Sequence, residues 1–390
     1  MANIIDYINH THESFIEKPF GMLDAFVCSL CSYFLFENTP ASQSSRAVLL
    51  AQALGTLSPE RLSNLFWFDE WAPRFRDALL ANPRYASLRV SDAVSVLNTH
   101  DYGQFAACCL HVPDGSLFLS FRGTDNTITG WEENLAMAVL EKTAAQTEAG
   151  KWAWNTVRHW CRAAEQGNWQ PFLPIVRLGG HSKGGNLALY AGLSMSGGYS
   201  DQLVRLYNFD GPGLTPSFME EVKQRPDKRA LLECCTKVVP SYSVFGMLFN
   251  SEAVPLVVRS TERGVMQHMP FSWVVAGDEF EWSRGEHPLT RINDRAFNTW
   301  LANLSLEDRM TFLSVLFGIM EYASPHNSVE ELASGLWHNT PGTIRMLHDL
   351  DKPMRDSIQE VLTSLIADFV ASTQDIVRES IRSGMNHHKK

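Results

Sequence analysis

The pentapeptide Gly180-His181-Ser182-Lys183-Gly184 limits the folds open to this chain more than any other stretch of its sequence. A short β-rich run over 174–178 precedes it, and a helical pattern over 186–194 follows it. Glycines on either side of a serine suit a sharp turn in which a strand and a helix approach closely. The pattern therefore predicts an α/β domain in which Ser182 lies at the start of a helix, beside backbone N–H groups that favour negative charge.

Elsewhere in the chain, extended and helical periodicities alternate. Helical spacing of apolar residues covers 19–36, 46–55, 73–81 and the stretch from Trp131 to about Ala164. The strand-like runs are Phe105–Val112, Ser116–Phe121, Leu203–Phe209, Thr236–Val239, Val254–Ser260 and Ser272–Ala276. This alternation predicts a mostly parallel central sheet with helices on both faces, together with an antiparallel hairpin that turns at Pro113-Asp114-Gly115.

A helical pattern continues through the C-terminal part, from Ala296 to Arg382. We therefore expect two domains: an α/β core with N-terminal helices over residues 1–295, and a helical C-terminal subdomain over 296–390.

The composition excludes several classes of protein. The 390 residues carry 33 basic and 43 acidic side chains, a net charge of −10, without the basic clusters that would attract a nucleic acid. The seven cysteines are an odd number in a long chain, which predicts reduced thiols and neither a disulfide framework nor a metal site. Residues 1–7 lack a basic start and no apolar run is long enough to span a membrane, so we expect a cytoplasmic protein.

We call the predicted sharp turn at Ser182, between the strand and the helix, the elbow. A serine in such a turn indicates acyl transfer, with Ser182 as the nucleophile. Such chemistry needs backbone donors aimed at the developing oxyanion. The first would be the N–H of Lys183, which follows the serine. The second would come from an earlier loop after a strand, and Thr124, in Ser120-Phe121-Arg122-Gly123-Thr124-Asp125, is the candidate.

The run Phe121-Arg122-Gly123-Thr124, followed by Trp131 and the serine pentapeptide, resembles the class 3 lipases, the fungal-lipase-like branch of the α/β-hydrolases. The chain is more closely similar to an uncharacterised bacterial branch, the Mbeg-like proteins, which share stretches like 19–25, 207–213 and 267–273. The resemblance covers nearly the whole chain. It implies an α/β-hydrolase fold and a serine-hydrolase site.

A general base is expected after the nucleophile in the chain. His268 lies between two strand-like runs, where a loop would lift it to the carboxyl edge of the sheet, and it matches a Gln-His stretch of the resembled family. His287 is the second choice. His181 neighbours the serine and is expected to point away from the site, because adjacent side chains on a turn diverge.

The acid is the least defined member of the predicted triad. Class 3 lipases carry an aspartate in a stretch that here offers Ser243, a departure from their pattern. Asp210 follows the strand after the nucleophile and is the preferred acid, since a carboxylate from that strand can also orient the imidazole. Asp278 and Glu132 remain alternatives.

The segment after Thr124 contains Ile128 and Trp131 among polar residues. In the lipases that it resembles, this segment is a lid, although an ordinary surface helix would show the same spacing.

These residues predict a serine esterase that acts on a small-molecule acyl ester and needs no metal or organic cofactor. The family suggests a lipid or lysolipid as the substrate, and peripheral contact of the protein with lipid. Thioester hydrolysis and acyl transfer would use the same residues. A non-catalytic hydrolase-fold protein that binds a ligand is the alternative from another class, and the departure at Ser243 favours it. The sequence leaves the oligomeric state open.

Overall fold

The computed structural model describes most of the chain up to residue 283. The described residues are 1–34, 36, 39–42, 46–58, 71–98, 103–124, 137, 142–243, 246, 253–283, 305, 307, 308, 311, 315, 352, 354–356 and 358. The chain divides into two compact units, Met1–Ala302 and Asn303–Lys390. Most of the second unit lies outside the described residues, so the helical C-terminal subdomain stays a prediction.

The helices of the described ranges are numbered in chain order. They are α1 (Ile4–His10), α2 (Met22–Cys31), α3 (Leu50–Gly55), α4 (Trp71–Ala81), α5 (Pro83–Ala86), α6 (Ala144–Glu165), α7 (Lys183–Ser194), α8 (Pro216–Gln224) and α9 (Pro226–Glu233). Short 3-10 turns cover Pro40–Ser42, Ser200–Gln202, Gly264–His268 and Pro270–Ser272.

The strands form one large sheet and one small hairpin. They are β1 (Val48–Leu49), β2 (Arg89–Asn98), β3 (Gly103–His111), β4 (Leu117–Phe121), β5 (Val176–His181), β6 (Leu203–Phe209), β7 (Cys235–Pro240), β8 (Leu256–Val258), β9 (Val275–Ala276) and β10 (Glu279–Phe280). The first eight strands lie in the large sheet in sequence order, antiparallel from β1 to β4 and parallel from β4 to β8. The mostly parallel sheet is therefore confirmed.

Helices cover both faces of this sheet. Alternate residues of β4 separate to the two sides: Phe118 packs with α2 and the N-terminal helices, whereas Leu117 and Leu119 pack with α6 and α7. The expectation of a two-sided core is confirmed, because a parallel sheet needs apolar cover on each face.

The structure differs from the predicted elements in several places, two of which are β2 and residues 272–276. No strand is predicted over 89–98, where β2 carries Ser91 and Asp92 at a bulge; Asp92 has φ 53°, and the bulge breaks the alternation that marks a strand. Residues 272–276 were expected as a strand that continues the β-rich region, but only Val275–Ala276 is a strand, and it pairs with β10 outside the large sheet.

The carboxyl ends of β4 to β8 meet at one edge of the sheet, because these strands are parallel. The loops after them carry Thr124, Ser182, Asp210, Ser243 and His268. Segments that are far apart in sequence thus come together there.

Candidate active site

Ser182 lies in a strained turn between β5 and α7. The strand ends at His181, the helix begins at Lys183, and Ser182 between them has φ 59° and ψ −134°. A residue other than glycine rarely adopts a positive φ, and this backbone conformation costs on the order of 1–3 kcal/mol. The predicted strand, sharp turn and helix are therefore present. The Ser182 N–H donates to the Phe209 carbonyl at 2.8 Å, which ties the turn to the end of β6.

The two glycines of the pentapeptide are required by close backbone approach. A Cβ on Gly180 would lie 2.6 Å from the Phe121 carbonyl oxygen, at the end of β4. A Cβ on Gly184 would lie 2.8 Å from the Phe121 carbonyl carbon and closer still to its oxygen. Backbone atoms on both sides cannot give way, so only glycine allows the elbow to pack against β4.

Asp210 and His268 form a hydrogen-bonded pair at the same edge. The Asp210 side chain is fully buried, and its Oδ2 lies 2.6 Å from His268 Nδ1. Since a carboxylate oxygen accepts, Nδ1 carries the hydrogen of this bond, and Nε2 is the other ring nitrogen. The predicted acid and the predicted base are thus joined by a hydrogen bond.

Ser243 forms a hydrogen bond with Asp210, the predicted acid. Its hydroxyl donates to Asp210 Oδ1 and accepts from the Gly246 N–H at 3.1 Å. Both carboxylate oxygens therefore have donors. A Cβ on Gly246 would lie 2.7 Å from Ser243 Oγ and would also overlap Asp210 Oδ1, so the loop needs glycine here. The residue that departs from the lipase pattern contacts the carboxylate of the neighbouring strand.

Gln267 holds the histidine loop in place. Its side-chain oxygen accepts from Ser241 Oγ at 2.9 Å and from the Tyr242 N–H at 3.1 Å. Its carbonyl accepts from Trp273 Nε1 at 2.8 Å. The Gln-His pair therefore has a physical basis, because the glutamine joins the loop of His268 to the loop after β7.

His181 contacts the histidine loop directly. Its Nε2 lies 2.9 Å from the His268 carbonyl oxygen, its Nδ1 lies 3.1 Å from Tyr33 Oη, and its ring centroid is 4.7 Å from that of His268. We expected this ring to point away from the site. It is instead packed beside the proposed base, in contact with its main chain, and nothing in the local sequence indicates Tyr33 as its partner.

The two predicted oxyanion donors follow β4 and β5. Thr124 is buried, and the loop reaches the elbow at Gly123, where a Cβ would lie 3.2 Å from Ser182 Cβ. The Lys183 ammonium donates to the Gln104 carbonyl at 2.7 Å. Because that side chain extends to β3, the contribution expected from Lys183 is that of its main-chain N–H.

The other candidate residues lie away from Ser182, Asp210 and His268 or lie outside the described residues. Asp278 is mostly exposed and forms an ion pair with Lys18. Ile128, Trp131, Glu132 and His287 lie outside the described residues. The lid and the second choice of base therefore stay predictions.

All seven cysteines are free thiols, and five of them are buried. Burial raises the pKa of Cys28 and Cys31 well above the usual thiol value, so both stay protonated. In the part of the chain that the structure describes, no group of three or more His, Cys, Asp or Glu side chains could hold a metal ion. Within the same part, no helix has the length and apolar character needed to cross a membrane.

A mostly parallel sheet, in which a strand is followed by a serine with positive φ and then by a helix, defines the fold of an α/β-hydrolase. The family model described as Mbeg1-like matches residues 79–318. The chain therefore belongs to the Mbeg1-like family, which is a lipase-like family. None of the curated proteins compared with the chain matches it.

Solved structures of fungal lipases resemble the chain at low identity. A fungal lipase–inhibitor complex is 17% identical, covers 64% of this chain and 94% of its own, and has a TM-score of 0.37. The Rhizomucor miehei lipase propeptide complex is 16% identical over 62% and 76%, with a TM-score of 0.35. Lipase II from Rhizopus niveus is 15% identical over 64% and 94%, with a TM-score of 0.33.

Proposed function

We propose that the protein is a serine esterase that cleaves carboxylic esters through an acyl-enzyme on Ser182. The observation that carries the proposal is the pair of His268 and Asp210 at the sheet edge that also holds the strained serine. An imidazole oriented by a carboxylate, at the sheet edge that also carries the elbow serine, is suited to moving a proton from and to the serine hydroxyl. Membership of a lipase-like family agrees with this chemistry.

The mechanism uses the residues of this edge alone. Ser182 Oγ attacks the ester carbonyl carbon while His268 Nε2 takes its proton, and the negatively charged Asp210 stabilises the imidazolium that forms. The N–H groups of Thr124 and Lys183 donate to the oxyanion. The C–O bond to the alcohol then breaks, and His268 returns the proton to the leaving oxygen. Water attacks the acyl-enzyme by the same route and releases the acid and free Ser182.

The substrate class in this proposal is an acyl ester with an apolar chain, a lipid or lysolipid, and a lid containing Ile128 and Trp131 would close over it. No cofactor or metal takes part. The seven free thiols support a reducing compartment, and we propose the cytoplasm. The support for a non-catalytic alternative was the departure at Ser243, and its contact with Asp210 weakens that support.

Labelling with a fluorescent fluorophosphonate tests the proposal. The wild type should label once per chain and Ser182→Ala should not, with intact mass locating the adduct. Ser194→Ala is the matched control, since Ser194 lies at the other end of the same helix and should leave labelling unchanged. A folded wild type that does not label with or without detergent, or a Ser182→Ala variant that still labels, would contradict the proposal.

A substrate panel then separates the related activities. p-Nitrophenyl esters of increasing chain length report ester hydrolysis, acyl thioesters report thioesterase activity, and an added alcohol reports acyl transfer by the new ester that it forms. We expect ester hydrolysis to exceed the other two and to rise with chain length. Faster turnover of thioesters, or transfer that outruns hydrolysis, would replace the esterase assignment.

A further inference from the structure

We propose that Tyr33 and His181 are positioning residues that fix the proposed base, His268, relative to the oxyanion loop. This loop is the segment 122–124 that follows β4 and carries Thr124. The inference rests on the proposed function and concerns residues outside its triad. Tyr33 follows helix α2, and 148 residues of sequence separate it from His181. Its hydroxyl nevertheless lies against both His181 and Gly123, which precedes Thr124 in the oxyanion loop.

The hydrogen-bond partners determine the direction of each bond. The His268 carbonyl can only accept, so His181 Nε2 carries the hydrogen and donates to it at 2.9 Å. His181 Nδ1 is then the acceptor, and the Tyr33 hydroxyl donates to it at 3.1 Å. The Gly123 N–H faces the Tyr33 oxygen and completes the chain. The order is Gly123 N–H, Tyr33 Oη–H, His181 ring, His268 carbonyl.

Tyr33 and His181 keep the protonation states that this series of hydrogen bonds requires. Burial, together with the neighbouring His268, lowers the pKa of His181 well below its ordinary value, so the ring is neutral and has one donor and one acceptor. Burial raises the pKa of Tyr33, so its hydroxyl keeps the proton that it donates. His181 is therefore suited to holding a fixed geometry and unsuited to exchanging protons during turnover.

The anchor for this pair is helix α2. Every residue of α2 except Met22 is buried, and the Ser120 hydroxyl of β4 donates to the Cys28 carbonyl at 2.7 Å. The elbow and the oxyanion loop leave the ends of β5 and β4, on which α2 packs. Tyr33 thus extends from a fixed helix to the oxyanion loop. A Cβ on Gly123 would overlap the Tyr33 hydroxyl oxygen there.

The consequence is that the main chain of His268 is held by His181 and its ring is held by Asp210. A base fixed at both points keeps its Nε2 in one place, and a displacement of about 1 Å in such a site can cost about 100-fold in rate. Loss of the Tyr33 or His181 bonds should therefore lower the rate of acylation more than it lowers substrate binding.

The experiment compares Tyr33→Phe, His181→Gln and His181→Phe with Tyr85→Phe as the control. Tyr85 is also buried in the N-terminal region and donates its hydroxyl to Asp24 at 2.7 Å, so its variant loses a buried hydrogen bond away from the site. Measurements are kcat and KM for a p-nitrophenyl ester, the rate constant of fluorophosphonate labelling, and urea unfolding.

We expect Tyr33→Phe to lower kcat by roughly 10-fold with little change in KM, and Tyr85→Phe to lower stability alone. His181→Gln keeps an N–H donor for the His268 carbonyl, whereas His181→Phe fills the space without one. The glutamine variant should therefore retain more kcat than the phenylalanine variant. Equal kcat in the two His181 variants, or a Tyr33→Phe variant that differs from wild type only in stability, would overturn the proposal.

A spectroscopic readout separates this proposal from the esterase proposal. The proton between His268 Nδ1 and Asp210 should give a low-field ¹H signal that Asp210→Asn removes. We expect His181→Phe to shift or broaden this signal and Tyr85→Phe to leave it unchanged. A wild type that fails to label at Ser182 would refute the esterase function alone, while a signal unchanged in His181→Phe would refute the positioning role.

Discussion

Replacing Asp210 by asparagine would remove a charge from the site and keep its shape. The carboxylate is fully buried, with His268 Nδ1 at one oxygen and the Ser243 hydroxyl at the other. Asp210 has φ 54°, and asparagine tolerates this left-handed conformation as well as aspartate does, whereas alanine would add strain. Asp210→Asn should therefore fold normally, so its effect on rate can be assigned to the lost charge.

The magnitude follows from the two ways in which the amide can bind its neighbours. With Nδ2 toward His268, the ring must accept at Nδ1, which moves its proton to Nε2 and removes the base. With Oδ1 toward His268, the tautomer is kept, but the imidazolium formed during acylation has no counter-ion. We expect a loss of about 10³–10⁴-fold in kcat, equivalent to about 4–5 kcal/mol of transition-state stabilisation.

The assay is ester hydrolysis together with the fluorophosphonate rate constant, for wild type, Asp210→Asn and Asp278→Asn. Asp278 is an exposed carboxylate paired with Lys18, so its variant should keep the wild-type rate. If Asp210→Asn, shown to be folded by circular dichroism, retains activity within about 10-fold of wild type, Asp210 is not the triad acid. An equal loss in Asp278→Asn would also remove the argument from burial.

Three further predictions concern the stability of the fold that holds the site. Gly184→Ala would press a methyl group against the Phe121 carbonyl and should lower the free energy of unfolding in urea by about 1–3 kcal/mol. In the wild type, the fully buried Arg84 guanidinium donates to both Asp24 carboxylate oxygens, at 2.8 and 2.9 Å. Asp24→Asn would remove its counter-charge, and the free energy of unfolding should fall by about 3–5 kcal/mol, which should appear as a lower Tm. Burial lowers the pKa of His111 to about 3, so the unfolded chain takes up a proton that the folded chain does not. Because of His111, the free energy of unfolding should fall by about 1 kcal/mol as the pH is lowered from about 7 to about 5.5. In urea titrations, His111→Gln should lack this contribution to the pH dependence.

Each of these predictions has an outcome that would contradict it. A Cβ on Gly55, in α3, has nothing within 4 Å, so Gly55→Ala is the control for Gly184→Ala; equal destabilisation in both would end the steric argument. An Asp24→Asn variant as stable as Asp77→Asn, whose carboxylate is largely exposed, would show that the buried pair does not anchor α2. A His111→Gln variant as acid-sensitive as wild type would contradict a neutral buried ring.

Local sequence signals predicted the elements that place the nucleophile. The pentapeptide lies where a strand pattern gives way to a helical one, and both the turn and the parallel sheet follow from short-range preferences. Strand β2 escaped prediction because Asp92 sits at a bulge with φ 53° and interrupts the alternation of apolar residues. Residues 216–233 also carry two helices, α8 and α9, that the sequence reasoning did not predict.

The contacts around the proposed triad depend on tertiary packing and left no local trace. Asp210 was preferred from its place after a strand, but nothing near Ser243 in the sequence indicates that its hydroxyl contacts that carboxylate 33 residues away. Tyr33 reads as an ordinary apolar-helix residue until the fold brings it to His181. The residues of the proposed triad have short-range sequence signatures here, whereas the residues that hold them in place do not.

The order of the strands in the central sheet is also their order of synthesis. A strand that leaves the ribosome finds its sheet neighbour already made, so the sheet can grow at one edge without waiting for distant segments. Ser182 emerges before Asp210, and His268 emerges last. A nascent chain therefore carries the elbow well before it carries the proposed base, and the proposed triad is complete only after the last strand of the sheet has been translated.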